Sequence, residues 1–109
     1  MIEHRRYRRF PLRLPLRILR ARHAAPGGAG ETINLSSGGV LFSADRRLEI
    51  GETIEYAISF PPPPGATEGT DLHCLGKVLR YEGTIEPAER GTKVYLMAAS
   101  IERHEFVRG

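Results

Sequence analysis

Residues 52–60 have the sequence ETIEYAISF, and this segment carries the clearest structural signal in the chain. Apolar side chains alternate with other side chains throughout it, and a period of two places successive side chains on opposite faces of an extended strand. The segment therefore predicts a half-buried β-strand. One predicted face contains Ile54, Tyr56, Ile58 and Phe60, and the other contains Thr53, Glu55, Ala57 and Ser59.

Short patterns of the same kind lie on both sides of this segment. Residues 12–18 alternate apolar and other side chains, and Pro15 suits a strand entry or a sheet edge because proline lacks a backbone donor. Residues 82–91 predict a polar turn, and residues 102–108 leave room for at most two helical turns. Glycine- and proline-rich turns separate the remaining predicted strands, which cover residues 31–35, 40–42, 72–81 and 93–101.

Six short strands with almost no helical period predict an all-β fold, and we favour a six-stranded antiparallel β-barrel. Closure into a barrel removes the exposed edges that an open sheet of these strands would leave. A chain of 109 residues can bury one hydrophobic core but hardly two. We therefore predict a single barrel domain over residues 12–109, preceded by a flexible basic arm over residues 1–11.

Charge is distributed unevenly along the chain. Residues 1–22 contain eight arginines and one acid, a charge of about +7, although the whole chain carries only +3. The other residues carry eight basic and twelve acidic side chains, a charge of −4. The guanidinium group binds phosphate oxygens through two parallel hydrogen bonds and stacks on bases, so this composition predicts a discrete anionic partner at the arm.

The sequence offers no machinery for catalysis. Its four histidines lack the spacing of metal ligands, and Cys74, the single cysteine, excludes a paired-cysteine metal site. The Ser36–Ser37 pair lacks the flanking glycines of a nucleophile turn, and no lysine follows Gly38 and Gly39 as in a phosphate-binding loop. Glutamates 49, 52 and 55 suit a solvated face. We predict no enzyme activity, no metal and no resident cofactor.

The sequence also predicts the cellular compartment of the protein. No apolar run approaches the roughly 18 residues that cross a bilayer, so we expect no membrane span. The basic N-terminus is not followed by the apolar core of a secretory signal. The sequence therefore predicts a cytoplasmic protein, and its single cysteine is consistent with a reducing compartment.

Two short elements carry the functional signal: RRYRR at residues 5–9 and NLSSGG at residues 34–39. With them the chain resembles the PilZ domain family, whose motifs are RxxxR near the N-terminus and [D/N]xSxxG further along. The similarity extends to later features such as GKVLR at residues 76–80, so it covers nearly the whole chain. Arg5 and Arg9 fit the first motif, and Asn34, Ser36 and Gly39 fit the second.

The resemblance implies a split-barrel fold that binds cyclic di-GMP, often as an intercalated pair of molecules, with the arginine arm folded over the ligand. Arginine suits phosphate and guanine edges, the Asn34 amide can hydrogen-bond a guanine edge, and a serine hydroxyl adds a further polar contact. Arg9 and Arg13 are also four residues apart, so the working pair stays open. The predicted ligand site contains Arg5, Arg6, Arg9, Asn34, Ser36, Gly38 and Gly39.

The predicted function is therefore a cyclic di-GMP receptor or adaptor in bacterial second-messenger signalling. The ligand would order the arm over the barrel and present a new surface to a downstream protein. The alternative is a nucleotide-independent adaptor that works through protein contacts alone. A single-stranded nucleic-acid binder is a third hypothesis, although it needs exposed aromatic side chains. We expect no DNA or RNA partner, and a monomer or weak homodimer.

Overall fold

The computed structural model of the chain describes residues 10–21, 28–85 and 93–108. All regular secondary structure in these ranges is β-strand, and the same ranges contain no helix that could span a membrane. Seven strands are present there: β1 Pro15–Ala21, β2 Ala29–Leu35, β3 Gly39–Ala44, β4 Thr53–Phe60, β5 Thr70–Ile85, β6 Val94–Ser100 and β7 Arg103–Arg108.

Six of the strands close into an antiparallel barrel. β1 pairs with β2 and β4, β3 lies between β2 and β6, and β5 completes the ring by pairing with both β6 and β4. Each strand of the ring therefore has a partner on both sides, as closure requires. The prediction of a six-stranded antiparallel barrel is confirmed, and β7 is an additional strand outside the ring.

The barrel interior is filled by the apolar faces of five strands. β2 instead contributes Thr32, whose hydroxyl accepts a hydrogen bond from the Leu14 amide at 2.9 Å and donates one to the Leu12 carbonyl. This buried hydroxyl is therefore satisfied, and it holds the segment before β1 against the barrel. The main core residues are Leu16, Ile18, Val40, Phe42, Ile54, Tyr56, Ile58, Leu72, Val78 and Met97.

The C-terminal residues form a strand, where the sequence left room for at most two helical turns. β7 pairs with the first half of β5, from Arg103 opposite Leu75 to Arg108 opposite Thr70. β6 ends at Ser100, so this part of β5 has an edge open to β7. A helix of this length is unstable on its own, whereas pairing with β5 satisfies backbone groups of β7.

β5 is also longer than its sequence predicts. Its last residues, 82–85, belong to the strand and not to the predicted polar turn, because they pair with the start of β6, where Ile85 lies opposite Val94. The register shifts between Val78 and Arg80 and again before Gly83, which has a positive φ of 151°. These β-bulges and the glycine allow polar residues to continue the ladder.

β5, β6 and β7 meet where Gly76 crosses Ser100. A Cβ atom on Gly76 would lie 1.8 Å from the Ser100 carbonyl oxygen, so the two backbones touch. The Ser100 hydroxyl accepts a hydrogen bond from the Lys77 amide at 2.9 Å, and the Tyr56 hydroxyl donates to the Ser100 carbonyl at 2.9 Å. The contact between Gly76 and Ser100 therefore fixes the end of β6, from which the chain continues into β7.

Candidate functional site

The chain enters the barrel through a two-hydrogen-bond backbone bridge between Phe10 and Leu35. The Phe10 amide donates to the Leu35 carbonyl at 2.8 Å, and the Leu35 amide donates to the Phe10 carbonyl at 2.9 Å. Leu35 is the residue between Asn34 and Ser36. The bridge therefore attaches the end of the N-terminal arm to the start of the NLSSGG motif at residues 34–39. The predicted ligand residues Arg5, Arg6 and Arg9 lie outside the described residues.

Asn34 lies at a β-bulge. Thr32 pairs with Phe42 and Asn34 pairs with Leu41, so Ile33 is an extra residue on β2. A bulge redirects the side chains that follow it, which is one reason why bulges occur beside binding sites. Asn34 is half-buried, and its amide group makes no hydrogen bond with another residue that the structure describes. This amide is therefore available to a ligand.

Ser36 closes the turn between β2 and β3. Its backbone amide donates to the Gly39 carbonyl at 2.9 Å, and its hydroxyl lies 3.2 Å from the same carbonyl oxygen. The hydroxyl also accepts a hydrogen bond from the Gly38 amide at 3.3 Å. A serine hydroxyl has one donor and two acceptor positions, so one acceptor position is left for a ligand.

Gly39 is required in the turn for space and not for an unusual backbone angle. Neither Gly38 nor Gly39 has a positive φ. A Cβ atom on Gly39 would lie 2.8 Å from the Ala99 carbonyl oxygen on the neighbouring strand β6. Gly39 therefore allows β3 to approach β6 closely at the start of their ladder, which runs from Gly39 opposite Ser100.

An outward-facing cavity of about 170 Å³ lies beside this turn. Its floor is a row of cross-strand neighbours, because Asn34 pairs with Leu41, Leu41 pairs with Ala98, and Ala98 pairs with Arg80. The small side chain of Ala98 leaves the hollow between its larger neighbours. We call this the outer cavity, and its lining residues are Asn34, Ser36, Gly38, Gly39, Val40, Leu41, Leu79, Arg80, Ala98 and Ala99.

Arg80 is the cationic side chain in the lining of the outer cavity. It is half exposed, and its guanidinium donates a hydrogen bond to the Glu82 carboxylate. Ion pairs between exposed side chains contribute little net stability, so an anionic ligand can compete with Glu82 for this guanidinium. Arg13 lies elsewhere, opposite the exposed carboxylate of Glu31 at 3.2 Å.

No sequence motif predicted the site residues Leu41, Leu79, Arg80 and Ala98. Their convergence depends on the registers of four strands, and no short motif records a register. The one available signal was Arg80, an exposed arginine in an otherwise alternating segment. The four predicted residues that the structure describes, Asn34, Ser36, Gly38 and Gly39, all line the outer cavity.

Buried titratable groups occur elsewhere in the barrel. Burial raises the pKa of the Cys74 thiol to about 11, and burial also raises the pKa of the Tyr56 hydroxyl above its ordinary range. Glu52 is buried as well, contrary to the solvated face that the sequence suggested, and its carboxylate accepts a hydrogen bond from the Glu49 amide at 3.0 Å. Within the described ranges, no cluster of histidine, cysteine or acidic side chains could hold a metal ion.

A closed antiparallel barrel with a polar turn at the entry point of a cationic arm defines the class of small β-barrel binding domains. A family model described as PilZ domain matches residues 3–104. The chain belongs to the PilZ domain family, so the predicted resemblance is confirmed. PilZ domains as a family are second-messenger receptor domains.

The solved structure of the Bacillus subtilis Inhibitor of motility (MotI/DgrA) has a similar fold. It matches with a TM-score of 0.64 and 18% sequence identity, and the alignment covers 95% of this chain and 44% of that chain. This chain therefore corresponds to less than half of that protein, and at this identity the similarity establishes the fold alone. No curated protein matches the sequence.

Proposed function

We propose that this domain binds cyclic di-GMP on its outer surface, between the N-terminal arm and the turn over residues 34–39. The observation that carries this proposal is the backbone bridge between Phe10 and Leu35. It fixes the end of the arm beside Asn34 and Ser36. The first sequence motif of the family ends one residue before this bridge, which supports a site formed jointly by the two motifs.

Covalent geometry keeps the arginines of the arm within reach of this site. Consecutive Cα atoms are about 3.8 Å apart, so Arg9 cannot leave the neighbourhood of the bridged Phe10. Arg5 is five residues from Phe10 and is at most about 18 Å away even in a fully extended chain. Two guanidinium groups on so short a tether suit a ligand that carries two phosphates.

The outer cavity is too small to enclose the ligand alone, and this supports a role for the arm in covering the ligand. Its volume of about 170 Å³ is below the roughly 300–1,000 Å³ of pockets that enclose drug-sized ligands. A cyclic dinucleotide therefore needs contacts beyond the barrel surface. In this arrangement the Asn34 amide binds a guanine edge, Arg80 adds positive charge from the floor, and the arm covers the exposed side of the ligand.

The nucleotide-independent adaptor remains the second candidate, and the turn gives it one supporting observation. The hydroxyl of Ser36 and the close approach of Gly39 both stabilise the barrel without any ligand. Residues of the second motif therefore have a structural use of their own. By contrast, none of the described residues that line the outer cavity is aromatic, which disfavours a base-stacking platform for single-stranded nucleic acid.

Isothermal titration calorimetry with cyclic di-GMP at moderate salt tests the proposal. We expect binding at micromolar or lower concentration, and loss of most affinity in the double variant Arg5→Ala and Arg9→Ala. Ala98→Leu should fill the outer cavity and weaken binding while the barrel stays folded. The matched control is Arg20→Ala with Arg108→Ala, which removes two exposed arginines away from the outer cavity.

The competing outcomes are distinct. No binding of cyclic di-GMP at tens of micromolar by the wild-type chain overturns the proposal, and so does binding that is unchanged in the arm variant. Equal losses in the arm variant and the control variant would indicate a general charge effect and would also contradict it. The adaptor hypothesis predicts the same protein partner with and without ligand, and with the arm arginines removed.

A further inference from the structure

One end of the barrel carries an exposed apolar cleft beside the outer cavity, and Ser36 lines both. Its volume is about 250 Å³, and we call it the apolar mouth. Two of its rings are unusually accessible, since Phe10 is 49% exposed and Phe106 is 62% exposed. Large exposed aromatic side chains that converge on one cleft indicate a contact surface. The apolar mouth is lined by Phe10, Leu35, Phe60, Leu72, Ile101 and Phe106.

The position of β7 explains why the other described residues leave the apolar mouth open. Phe106 lies opposite Leu72, so both side chains are on the face that lines the core inside the ring. β7 stands outside the ring, and its core-facing side chains therefore reach solvent. The Phe106 ring packs edge-on against Phe60 with ring centres 6.1 Å apart, which orients it as one wall of the cleft.

β7 also has an unpaired edge. It pairs with β5 on one side, and no strand of the described ranges pairs with its other side. The backbone amides and carbonyls along that edge can accept another extended chain. An open strand edge beside an apolar cleft is the arrangement in which a partner peptide adds a strand and inserts side chains into the cleft.

The charges on β7 specify the chemistry of such a peptide. Arg103 and Arg108 lie at the two ends of the strand, are exposed, and form no ion pair with another described residue. Arg103 shares the outer face with Glu105, whereas Arg108 is on the same face as His104 and Phe106, at the end of the apolar mouth. Opposite charges on neighbouring strands stabilise pairing, so carboxylates opposite the two arginines favour an added strand.

We propose that β7 and the apolar mouth form a docking site for an extended segment of a partner protein. In that segment apolar side chains lie opposite His104 and Phe106 and enter the apolar mouth, and two carboxylates five positions apart lie opposite Arg103 and Arg108. The segment adds to the open edge of β7. This site goes beyond the proposed function, because none of its contacts requires cyclic di-GMP.

The test uses the full chain and a six-residue synthetic peptide with glutamate at both ends, valine at the third and fifth positions and serine at the second and fourth, so that an antiparallel strand places the valines opposite Phe106 and His104. Two analogues accompany it, one with lysine in place of glutamate and one with serine in place of valine. We expect the acidic peptide to bind at least about tenfold more tightly than either analogue, as measured by fluorescence anisotropy. We also expect it to shift the NMR signals of the backbone amides of residues 103–108.

Phe106→Ser should weaken this binding about tenfold or more, because it removes one wall of the apolar mouth. Ile50→Ser is the matched control, since Ile50 is similarly exposed at 61% but lies on the turn before β4. The control should bind the peptide like the wild type. Both variants should keep the affinity for cyclic di-GMP, so this test fails or succeeds independently of the proposed function.

Several results would overturn the docking proposal. Equal binding of the acidic and basic peptides would remove the role of Arg103 and Arg108. Unchanged peptide binding in Phe106→Ser, or NMR shifts confined to other strands, would exclude the apolar mouth as the peptide-binding site. Self-association of the wild-type chain in analytical ultracentrifugation, abolished by Phe106→Ser, would identify the occupant as a second copy of the chain.

Discussion

Asn34 is a polar side chain in the outer cavity that the barrel does not use for its own hydrogen bonds. We expect Asn34→Ala to weaken cyclic di-GMP binding about tenfold or more, because a hydrogen bond to a charged or strongly polar ligand is worth roughly 1.5–3 kcal/mol. The free energy of unfolding should change by less than about 0.5 kcal/mol. Calorimetry and urea unfolding measure the two effects.

Ser59→Ala is the matched control for Asn34→Ala. Ser59 is also a half-buried polar residue on a strand, but it does not line the outer cavity. It should leave ligand affinity unchanged. If Asn34→Ala folds normally and binds cyclic di-GMP with unchanged affinity, the Asn34 side chain does not contact the ligand.

Because Cys74 and Tyr56 are buried, the barrel should lose stability at alkaline pH. Burial raises the pKa of the Cys74 thiol from 9.0 to about 11, so the folded state holds this proton more tightly than the unfolded state. The resulting stabilisation is complete below pH 9 and is lost as the pH rises from 9 to 11. Burial raises the pKa of Tyr56 as well, so its contribution falls above pH 10.

Urea unfolding at a series of pH values from 7 to about 11 checks this expectation. The free energy of unfolding should be level up to pH 9 and then decline. Cys74→Ala lowers stability at every pH, but it should flatten the decline between pH 9 and 10. A decline that is equally steep in that variant would show that other groups cause it.

Single residues also mark how far the sequence could predict the site. Asn34 and Gly39 were predicted from a motif because their neighbours in sequence are also their neighbours in the turn. Glu52 was predicted to be solvated, yet it is buried, because its environment is set by the fold around the start of β4. Arg80 was missed for the same physical reason, since its place in the outer cavity depends on the ladder between β5 and β6.

Among the strands, β4 was the most predictable. Ile54, Tyr56 and Ile58 are all buried, as the alternating pattern predicts, although Ala57 on the opposite face is buried as well. β7 and the last residues of β5 carry polar sequences that have no such pattern. They are strands because a neighbouring strand offers hydrogen-bonding groups, and that information lies in residues far away along the chain.

The crossing between β5 and β6 gives a prediction for this part of the fold. Gly76→Ala places a Cβ atom against the Ser100 carbonyl oxygen, and neither backbone can move freely, because Gly76 belongs to the ladder with β4 and Ser100 to the ladder with β3. We expect the free energy of unfolding to fall by about 2 kcal/mol or more. Thermal and urea unfolding followed by circular dichroism measure the loss.

Gly28→Ala is the comparison variant for Gly76→Ala. Its Cβ atom would approach only side-chain atoms of Arg46 and Ile18, each at 3.2 Å, and these can adjust. The loss should stay under about 1 kcal/mol. Similar losses in the two variants would mean that the close crossing at Ser100 is not a special constraint.

The whole molecule combines a cationic N-terminal segment with a mildly acidic remainder. If the arm binds the ligand through charge, the affinity for cyclic di-GMP should fall about three- to tenfold as NaCl rises from roughly 50 to 500 mM, because salt screens exposed charges. The double variant Arg5→Ala and Arg9→Ala should show a flatter dependence on salt. Calorimetry at several salt concentrations provides the comparison, and parallel slopes for both proteins would contradict a charged arm contact.

The pairing of β5 with three other strands affects how the domain forms during protein synthesis. β4 leaves the ribosome before β5, but β6 and β7 emerge after it. Until β6 is released, β3 and β5 each lack a neighbour, and the nascent chain exposes strand edges that favour aggregation. Synthesis of the final third of the chain is therefore the step at which assistance from a chaperone would matter most.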